Sequence, residues 1–191
     1  MIVETEHTPN PNTLKFLPGK KVSEVGSIEF LKNDKSIKVP LAKKILSLKG
    51  TTMVFFGEDF ITVKKEQELN WEDLRHAIIS EINDYYSKGK KVVIDKNLKL
   101  EENLDNLDPN FKPQQPNEII NKINEVLDSK VRPAVAKDGG DIKFKSFKDG
   151  VVLVELKGSC SGCPSSTATL KQGVQNLLCH YIPEVKSVEA Q

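Results

Sequence analysis

Cys160 and Cys163 are the residues of this chain best suited to chemistry. They are two of its three cysteines, and two residues separate them in the run GSCSGCPSS at positions 158–166. A thiolate binds soft metal ions and attacks electrophiles, and the Cys-x-x-Cys spacing serves zinc, iron–sulfur clusters and thiol–disulfide exchange alike. The pair therefore predicts a metal or redox site without deciding between them.

The elements on either side of the pair are predicted to hold it on a turn. Val151 to Leu156 is an apolar, β-branched run typical of a strand. Pro164 suits the first turn of a helix, where its missing N–H would have no partner. Unpaired N–H groups and the positive end of the helix dipole would then lie beside both sulfurs. We therefore expect a lowered pKa for both thiols.

The third cysteine is predicted to lie too far away to join the pair. In an unbroken helix from Pro164, Cys179 is fifteen residues further on, roughly 22 Å at about 1.5 Å per residue. It is also predicted to point away from the apolar stripe of that helix, as an exposed or helix-end thiol. One chain then offers two good ligands, whereas a tetrahedral zinc ion or a cubane cluster takes four. The simplest source of the other two is a second copy across a two-fold axis.

A longer pattern surrounds the cysteines. The run RPAVAKDGGDI at 132–142, followed by GSCSGCPSSTATLKQGVQNLL from 158 and IPEV at 182–185, resembles the NifU-like, or Nfu-type, iron–sulfur scaffold domain. The runs TPNPNTLKF at 8–16, VFFG at 54–57 and FITV at 60–63 resemble the separate N-terminal domain of the two-domain members. Together these segments cover most of the chain.

The resemblance implies a function that the cysteine spacing alone leaves open. It implies a scaffold and carrier, and no enzyme, that holds a 4Fe-4S cluster between two chains through Cys160 and Cys163. It further implies upstream cluster-assembly machinery as the donor, apo iron–sulfur proteins as the acceptors, and a cluster-bridged homodimer as the loaded form.

Three alternatives remain for the pair. A Cys-x-x-Cys at a helix start is also the arrangement of thiol–disulfide oxidoreductases, and a closed zinc site would make the pair a structural clip between two chains. The cysteines are otherwise two buried small hydrophobic residues. The neighbouring Gly158, Ser159, Ser161 and Gly162 argue against that, because they make a polar turn. Such glycines let backbone N–H groups approach inorganic sulfide closely, which suits a cluster.

Composition narrows the range of partners and locations. A formal net charge of +1 over 191 residues argues against a dominant nucleic-acid or membrane surface. No apolar run reaches membrane-spanning length, and three cysteines do not suggest a secreted disulfide framework. The acidic start, MIVETE, lacks the features of a signal or transit peptide, so we expect a cytoplasmic location.

The predicted fold class is α+β, with two small α/β sandwich-type domains. Residues 1–94 are predicted to form the first domain, which has no cysteine. Its predicted strands are 2–6, 13–17, 53–56 and 60–63, and its predicted helices are 41–48 and 70–88. The PNPN run predicts a turn, and His76 is predicted to be a surface residue.

A linker is predicted over residues 95–116, which are rich in Asn, Asp, Glu, Lys and Pro. A short packed segment is the alternative, since four leucines fall in this stretch: Leu98, Leu100, Leu104 and Leu107.

The second domain is predicted over 117–191 as a helix, a β-hairpin, the Cys-x-x-Cys loop, a second helix and a short final strand. Pro133 is predicted to bend the first helix or to mark its last turns. Asp149 and Gly150 predict the hairpin turn. The second helix is predicted to bury one stripe, formed by Leu170, Val174, Leu177, Leu178 and Tyr181.

Overall fold

The computed structural model describes residues 2–34, 37–89, 118–161 and 164–190, and only the backbone of 164–166. The chain divides into two compact units, Met1–Lys99 and Leu100–Gln191. The predicted linker at 95–116 and its four leucines lie outside the described residues. Each unit combines helices with its own β-sheet, so the predicted α+β class is confirmed.

The described part of the first unit contains an antiparallel sheet with the strand order β1-β2-β5-β4-β3. Its strands are β1 Glu4–His7, β2 Thr13–Leu17, β3 Ile28–Leu31, β4 Thr51–Phe56 and β5 Ile61–Lys65. Two helices, α1 Pro40–Ser47 and α2 Trp71–Ser87, share an apolar core with the sheet. The sequence pattern missed β3, because its four residues are too few to show an alternating pattern.

Local sequence explains the turn and the helix end in this unit. In the PNPN turn the Thr13 N–H donates to the Asn10 carbonyl at 2.9 Å, and the Asn10 side chain accepts from the Asn12 N–H at 3.0 Å. Helix α2 ends just before Gly89, whose φ of +67° favours glycine. Asn70 stands at the N-cap position of α2, but its side chain makes no capping hydrogen bond among the described residues.

The core of the first unit contains the stripe predicted for α2. Leu74, Ile78, Ile82 and Tyr85 are buried. Trp71 is only partly buried, and its indole N–H donates to the Pro11 carbonyl at 3.1 Å. The stripe therefore packs the helix onto the sheet, while Trp71 ties the start of α2 to the PNPN turn.

The second unit follows the predicted order of elements. Helices α3 Glu118–Val126 and α4 Arg132–Lys137 precede the hairpin of β6 Gly140–Lys148 and β7 Val151–Gly158, and then come α5 Pro164–Tyr181 and β8 Ser187–Ala190. The sheet order is β6-β7-β8, with β8 parallel to β7. Asp149 and Gly150 turn the hairpin with φ of +53° and +87°, the pattern of a type I′ turn.

A single π-helical turn, Leu127–Val131, joins α3 to α4. The Arg132 N–H bonds to the Leu127 carbonyl, five residues back. Pro133 follows at once, and its missing N–H disturbs the α-helical ladder at this point. The helix ends four residues later, at Lys137, so Pro133 marks its last turns.

The stripe predicted for α5 is only partly correct. Val174 and Leu178 are buried in the core with Ile142, Val152 and Val154 of the hairpin. Tyr181, predicted to be buried, is 48% exposed because it closes the helix at its last residue. Cys179, predicted to point away from the core, is half-buried and packs against it. The core around α5 is therefore wider than the single stripe that periodicity marks.

Candidate functional site

Cys160 lies in the turn between β7, which ends at Gly158, and α5, which begins at Pro164. The helix starts where the sequence predicted. Cys163 and Gly162 lie outside the described residues, so the structure places one of the two predicted ligands. Cys160 is 6% exposed and forms part of the edge of the second unit's core.

The cysteine turn is tied to a second turn, at 138–140, which precedes β6. The Ser159 N–H donates to the Gly139 carbonyl at 3.2 Å, and the Ser159 hydroxyl donates to the Asp138 carbonyl. Gly140 and Gly158 are paired at the open end of the β6–β7 hairpin. Gly139 has a φ of +81°, which allows the chain to turn here. The two turns therefore form one hydrogen-bonded unit although twenty residues separate them in sequence.

Helix α5 is tied to the same cysteine. The Thr167 hydroxyl, in the first turn of α5, donates to the Cys160 carbonyl at 3.1 Å. On the other side, the Ser161 N–H and hydroxyl both donate to the Gly158 carbonyl, at 3.2 and 2.9 Å. The Thr167 bond thus ties the backbone of Cys160 to the start of α5, whereas the bonds of Ser161 close the local turn after β7.

The pKa expected for Cys160 is wrong in direction. Burial raises the pKa of this thiol, and the Asp138 and Asp141 carboxylates raise it further, while the Ser159 hydroxyl, 3.8 Å from Sγ, acts in the opposite sense. The expectation failed because Cys160 stands before the first turn of α5 and inside the packed edge of the core. The apo-protein therefore favours the neutral thiol, and a metal ion that binds Sγ must displace its proton.

Arg132 organises the acidic residues near this turn. Its Nε donates to the Ile142 carbonyl at 3.1 Å and lies 3.4 Å from Asp141 Oδ1, and its Nη1 lies 2.8 Å from Asp128 Oδ1. The Asp141 carboxylate also accepts the Ile142 N–H at 2.8 Å. These bonds hold the start of β6, which carries the glycine turn, against the end of the π-helical segment.

Four contributors to the site were missed or given no role by sequence reasoning: Ser159, Thr167, Arg132 and the carbonyl of Asp138. The sequence signal available for Ser159 was its position directly before a candidate ligand; its burial is evident from the structure alone. The Lys157 side chain, close to this turn in sequence, is 14% exposed, and its Nζ lies 3.9 Å from Glu155 Oε2.

Two further residues of ligand type lie on helices α2 and α5. His76 is exposed, as predicted, and its Nδ1 lies 2.8 Å from the Glu72 carbonyl of its own helix. Cys179 lies near the far end of α5. Within the described ranges, His, Cys, Asp and Glu nowhere gather in a group of three able to hold a metal ion. Within the same ranges, no helix has both the length and the apolar character needed to cross a membrane.

Comparison with known proteins identifies the family. Residues 123–189 match the NifU-like domain, and residues 3–89 match the N-terminal domain of the Nfu/NifU scaffold proteins. The human mitochondrial protein named NFU1 iron-sulfur cluster scaffold homolog is 42% identical over 190 residues, which cover 99% of this chain and 71% of that protein. NifU-like protein 4 of Arabidopsis thaliana, also mitochondrial, is 40% identical over 193 residues, covering 100% of this chain and 66% of that protein.

Among solved structures, the solution structure of a NifU-like protein from Saccharomyces cerevisiae is 28% identical, with a TM-score of 0.45 over 50% of this chain and 86% of that one. The two domain matches and the relatives that align with nearly all of this chain are decisive. The chain belongs to the NifU-like family of iron–sulfur cluster scaffold proteins, in the form that carries an Nfu-type N-terminal domain.

The prediction of a cytoplasmic location is wrong on this comparison, because the human and Arabidopsis relatives are named as mitochondrial proteins. That prediction depended on the composition of the first six residues, which does not determine where a protein acts.

Proposed function

We propose that this chain is a scaffold and carrier that holds one 4Fe-4S cluster between two copies of itself, through Cys160 and Cys163 of each. The observation that carries the proposal is the placement of Cys160. Its backbone is tied to the start of α5, and its turn is bonded to the glycine turn at 138–140. Membership of a scaffold family supports the same function.

The number of ligands supports a shared cluster. Each chain contributes the thiolates of Cys160 and Cys163, and a cubane cluster has four irons to ligate. Two copies related by a two-fold axis supply four equivalent thiolates. The proposed loaded form is therefore a homodimer bridged by its cargo.

Transfer to an apo iron–sulfur protein is a ligand exchange. An acceptor thiol loses its proton and forms a bond to iron, while the bond from that iron to Cys160 or Cys163 breaks and the freed sulfur takes up a proton. No electron moves and the cluster keeps its charge. A cluster shared by two chains is reached by an acceptor more readily than one enclosed by a single chain. Loading by upstream assembly machinery is the reverse exchange.

The division of labour between domains is also part of the proposal. The cysteines all lie in the segment proposed as the cluster domain, 117–191, and the proposed N-terminal domain, 1–94, contains none. We assign cluster binding to the C-terminal domain alone. The segment 95–116 is proposed to link the two.

The burial of Cys160 argues against the oxidoreductase alternative. Nucleophilic cysteines in Cys-x-x-Cys enzymes have a lowered pKa and are partly exposed, whereas burial raises the pKa of the Cys160 thiol. A structural zinc site would use the same two cysteines as a cluster does. An experiment is therefore needed to distinguish a zinc clip from a cluster carrier.

The deciding experiment is anaerobic reconstitution with iron and sulfide in one sample and zinc in another. A cluster gives broad visible absorption from sulfur-to-iron charge transfer, with iron and sulfide in equal amounts by analysis. We expect that absorption, and transfer of the cluster to an apo-ferredoxin. A colourless protein that retains zinc and rejects iron and sulfide would establish the clip. A protein that binds neither and reduces disulfides would establish the oxidoreductase.

A further inference from the structure

The side chain of Ser159 lies beside Cys160 and is not itself a ligand of the cluster proposed above. Ser159 is 2% exposed. Its hydroxyl donates to the Asp138 carbonyl, its N–H donates to the Gly139 carbonyl at 3.2 Å, and its Oγ lies 3.8 Å from Cys160 Sγ. One residue therefore joins the glycine turn to the sulfur of the candidate ligand.

The neighbouring serine shows what a purely local role looks like. The Ser161 hydroxyl donates to the Gly158 carbonyl, three residues away, and so stabilises its own turn. The Ser159 hydroxyl bonds instead to a carbonyl twenty-one residues away in sequence. Burying a hydroxyl costs free energy unless it is hydrogen-bonded, and losing its partner leaves the Asp138 carbonyl unsatisfied.

Gly140 also lies against the sulfur, because a β-carbon at that position would come within 2.9 Å of Cys160 Sγ. The Thr167 hydroxyl bonds to the Cys160 carbonyl and restrains the backbone. The Ser159 hydroxyl has a single proton, so while it donates to the Asp138 carbonyl its contact with Sγ at 3.8 Å is made by the thiol proton. The lasting connection between the cysteine turn and the glycine turn is therefore the pair of bonds from Ser159 to Asp138 and Gly139.

We infer that Ser159 is a positioning residue for the cluster: its bonds to Asp138 and Gly139 hold the cysteine turn on the glycine turn at 138–140 and so place Cys160 for its bond to iron. This inference rests on the proposed scaffold function. Residues that orient metal ligands through hydrogen bonds typically contribute about 10- to 100-fold to metal affinity. The expected effect of losing the Ser159 hydroxyl is a cluster that still assembles and is held less firmly.

The test compares Ser159→Ala with Ser159→Thr, which keeps a hydroxyl, and with Ser161→Ala, the matched serine of the same turn. Each full-length protein is reconstituted anaerobically and then mixed with excess iron chelator. Ser159→Ala is expected to lose its cluster about tenfold faster than wild type, with an altered visible circular dichroism spectrum. Ser159→Thr and Ser161→Ala are expected to stay close to wild type. Ser159→Gly, which also lacks the hydroxyl, replaces the alanine variant if that one does not fold.

A second measurement needs no cluster. In apo-protein with Cys163 and Cys179 both changed to alanine, Cys160 is the remaining thiol, and its reaction rate with a maleimide reports how firmly the sulfur is held. Adding Ser159→Ala is expected to raise that rate several-fold, and adding Ser161→Ala to leave it unchanged. Equal rates for all three proteins, or equal changes from both serines, would overturn the positioning role. A wild-type protein that holds no cluster would overturn the proposed function, and the maleimide rates would still decide the role of Ser159.

Discussion

Gly140 lies directly against Cys160. A β-carbon at position 140 would come within 2.9 Å of Cys160 Sγ and within 2.6 Å of the Lys157 carbonyl oxygen. Both separations are shorter than a non-bonded carbon contact allows, and the Lys157 oxygen belongs to the backbone of β7, so it cannot rotate away. The absence of a side chain at 140 therefore sets how closely the glycine turn and the cysteine turn approach.

Gly140→Ala is expected to push these two turns apart. Overpacking of this kind typically costs about 1–3 kcal/mol of stability. Because the displaced atoms include Cys160 Sγ, we also expect less cluster per chain after reconstitution. Chemical unfolding of the apo-protein measures the first effect, and iron and sulfide analysis measures the second.

Gly173→Ala is the matched control. Gly173 lies within α5, and a β-carbon there would meet nothing within 4 Å among the described residues. Replacing a helical glycine by alanine stabilises by roughly 0.5–1 kcal/mol. Cluster content should stay at the wild-type value. Equal stability of the two variants would show that the close approach at Gly140 has no energetic consequence.

Much of the second unit follows from local sequence. Asp149 and Gly150 both adopt a positive φ, which a two-residue hairpin turn requires and which this pair of residue types tolerates. Pro164 starts α5 because a proline suits the first helical turn. These features depend on neighbouring residues, so the sequence pattern was sufficient to predict them.

The environment of Cys160 could not be predicted in the same way. Its burial depends on Asp138 and Gly140, about twenty residues earlier, which approach only when β6 and β7 pair. Periodicity along α5 likewise missed the partial burial of Cys179, because that burial depends on the other elements of the core. Local patterns were therefore sufficient to locate the ligand pair. The direction of the pKa shift at Cys160 depends on contacts between residues distant in sequence, so local patterns could not predict it.

Cys160→Ala and Cys163→Ala are each expected to abolish cluster assembly, since either change, present in both chains, leaves two of the four thiolates of the shared cluster. Cys179→Ala is the control, because Cys179 lies near the opposite end of α5 from Cys160. Its half-buried side chain makes a loss of about 1 kcal/mol of stability the expected effect, with full cluster content. Visible absorption after reconstitution is the measurement. A normal cluster in either pair variant would remove that cysteine from the site.

Tyr86 gives the first unit a pH-dependent stability. Burial, and the nearby Tyr85, raise the pKa of Tyr86 to about 12, and its hydroxyl is buried without a hydrogen-bond partner among the described residues. An unfolded tyrosine titrates near pH 10. Below about pH 10 Tyr86 is neutral in both states and the first unit keeps its full stability. As the pH rises towards 12 the unfolded tyrosine ionises first, so the free energy of unfolding falls.

Tyr86→Phe should remove this dependence. Relative to the variant, wild type is expected to lose about 1 kcal/mol between roughly pH 9 and pH 11. At neutral pH the variant should match or exceed wild type, since it removes a buried unpaired hydroxyl. The fluorescence of Trp71, the chain's single tryptophan, follows unfolding of this unit. Tyr181→Phe, at a 48% exposed position of the second unit, is the control for the substitution itself and should leave the unfolding of the first unit unchanged.

The fragment spanning residues 115–191 is expected to fold and to assemble a cluster without the rest of the chain. The described residues of the second unit's core all come from Ile119 onward, and Cys160 is one of them. Circular dichroism and reconstitution of the fragment are the measurements. A folded fragment that needs residues 1–94 to hold iron would mean that the first domain contributes to the site.

Assembly state should follow the cargo. With two thiolates per chain, the apo-protein is expected to be monomeric, and the loaded protein to be a dimer with about one four-iron cluster per two chains. Anaerobic sizing before and after reconstitution, combined with iron analysis, tests this. The loaded dimer is then mixed with a cysteine-ligated apo-acceptor, and we expect it to return to monomer at the rate at which the acceptor gains activity. This match is expected because the cluster is the bond that joins the two chains, so its departure and their separation are one event. A monomer that retains a complete cluster would refute the bridging arrangement. A dimer that persists unchanged in the presence of acceptor would make the cluster a structural clip.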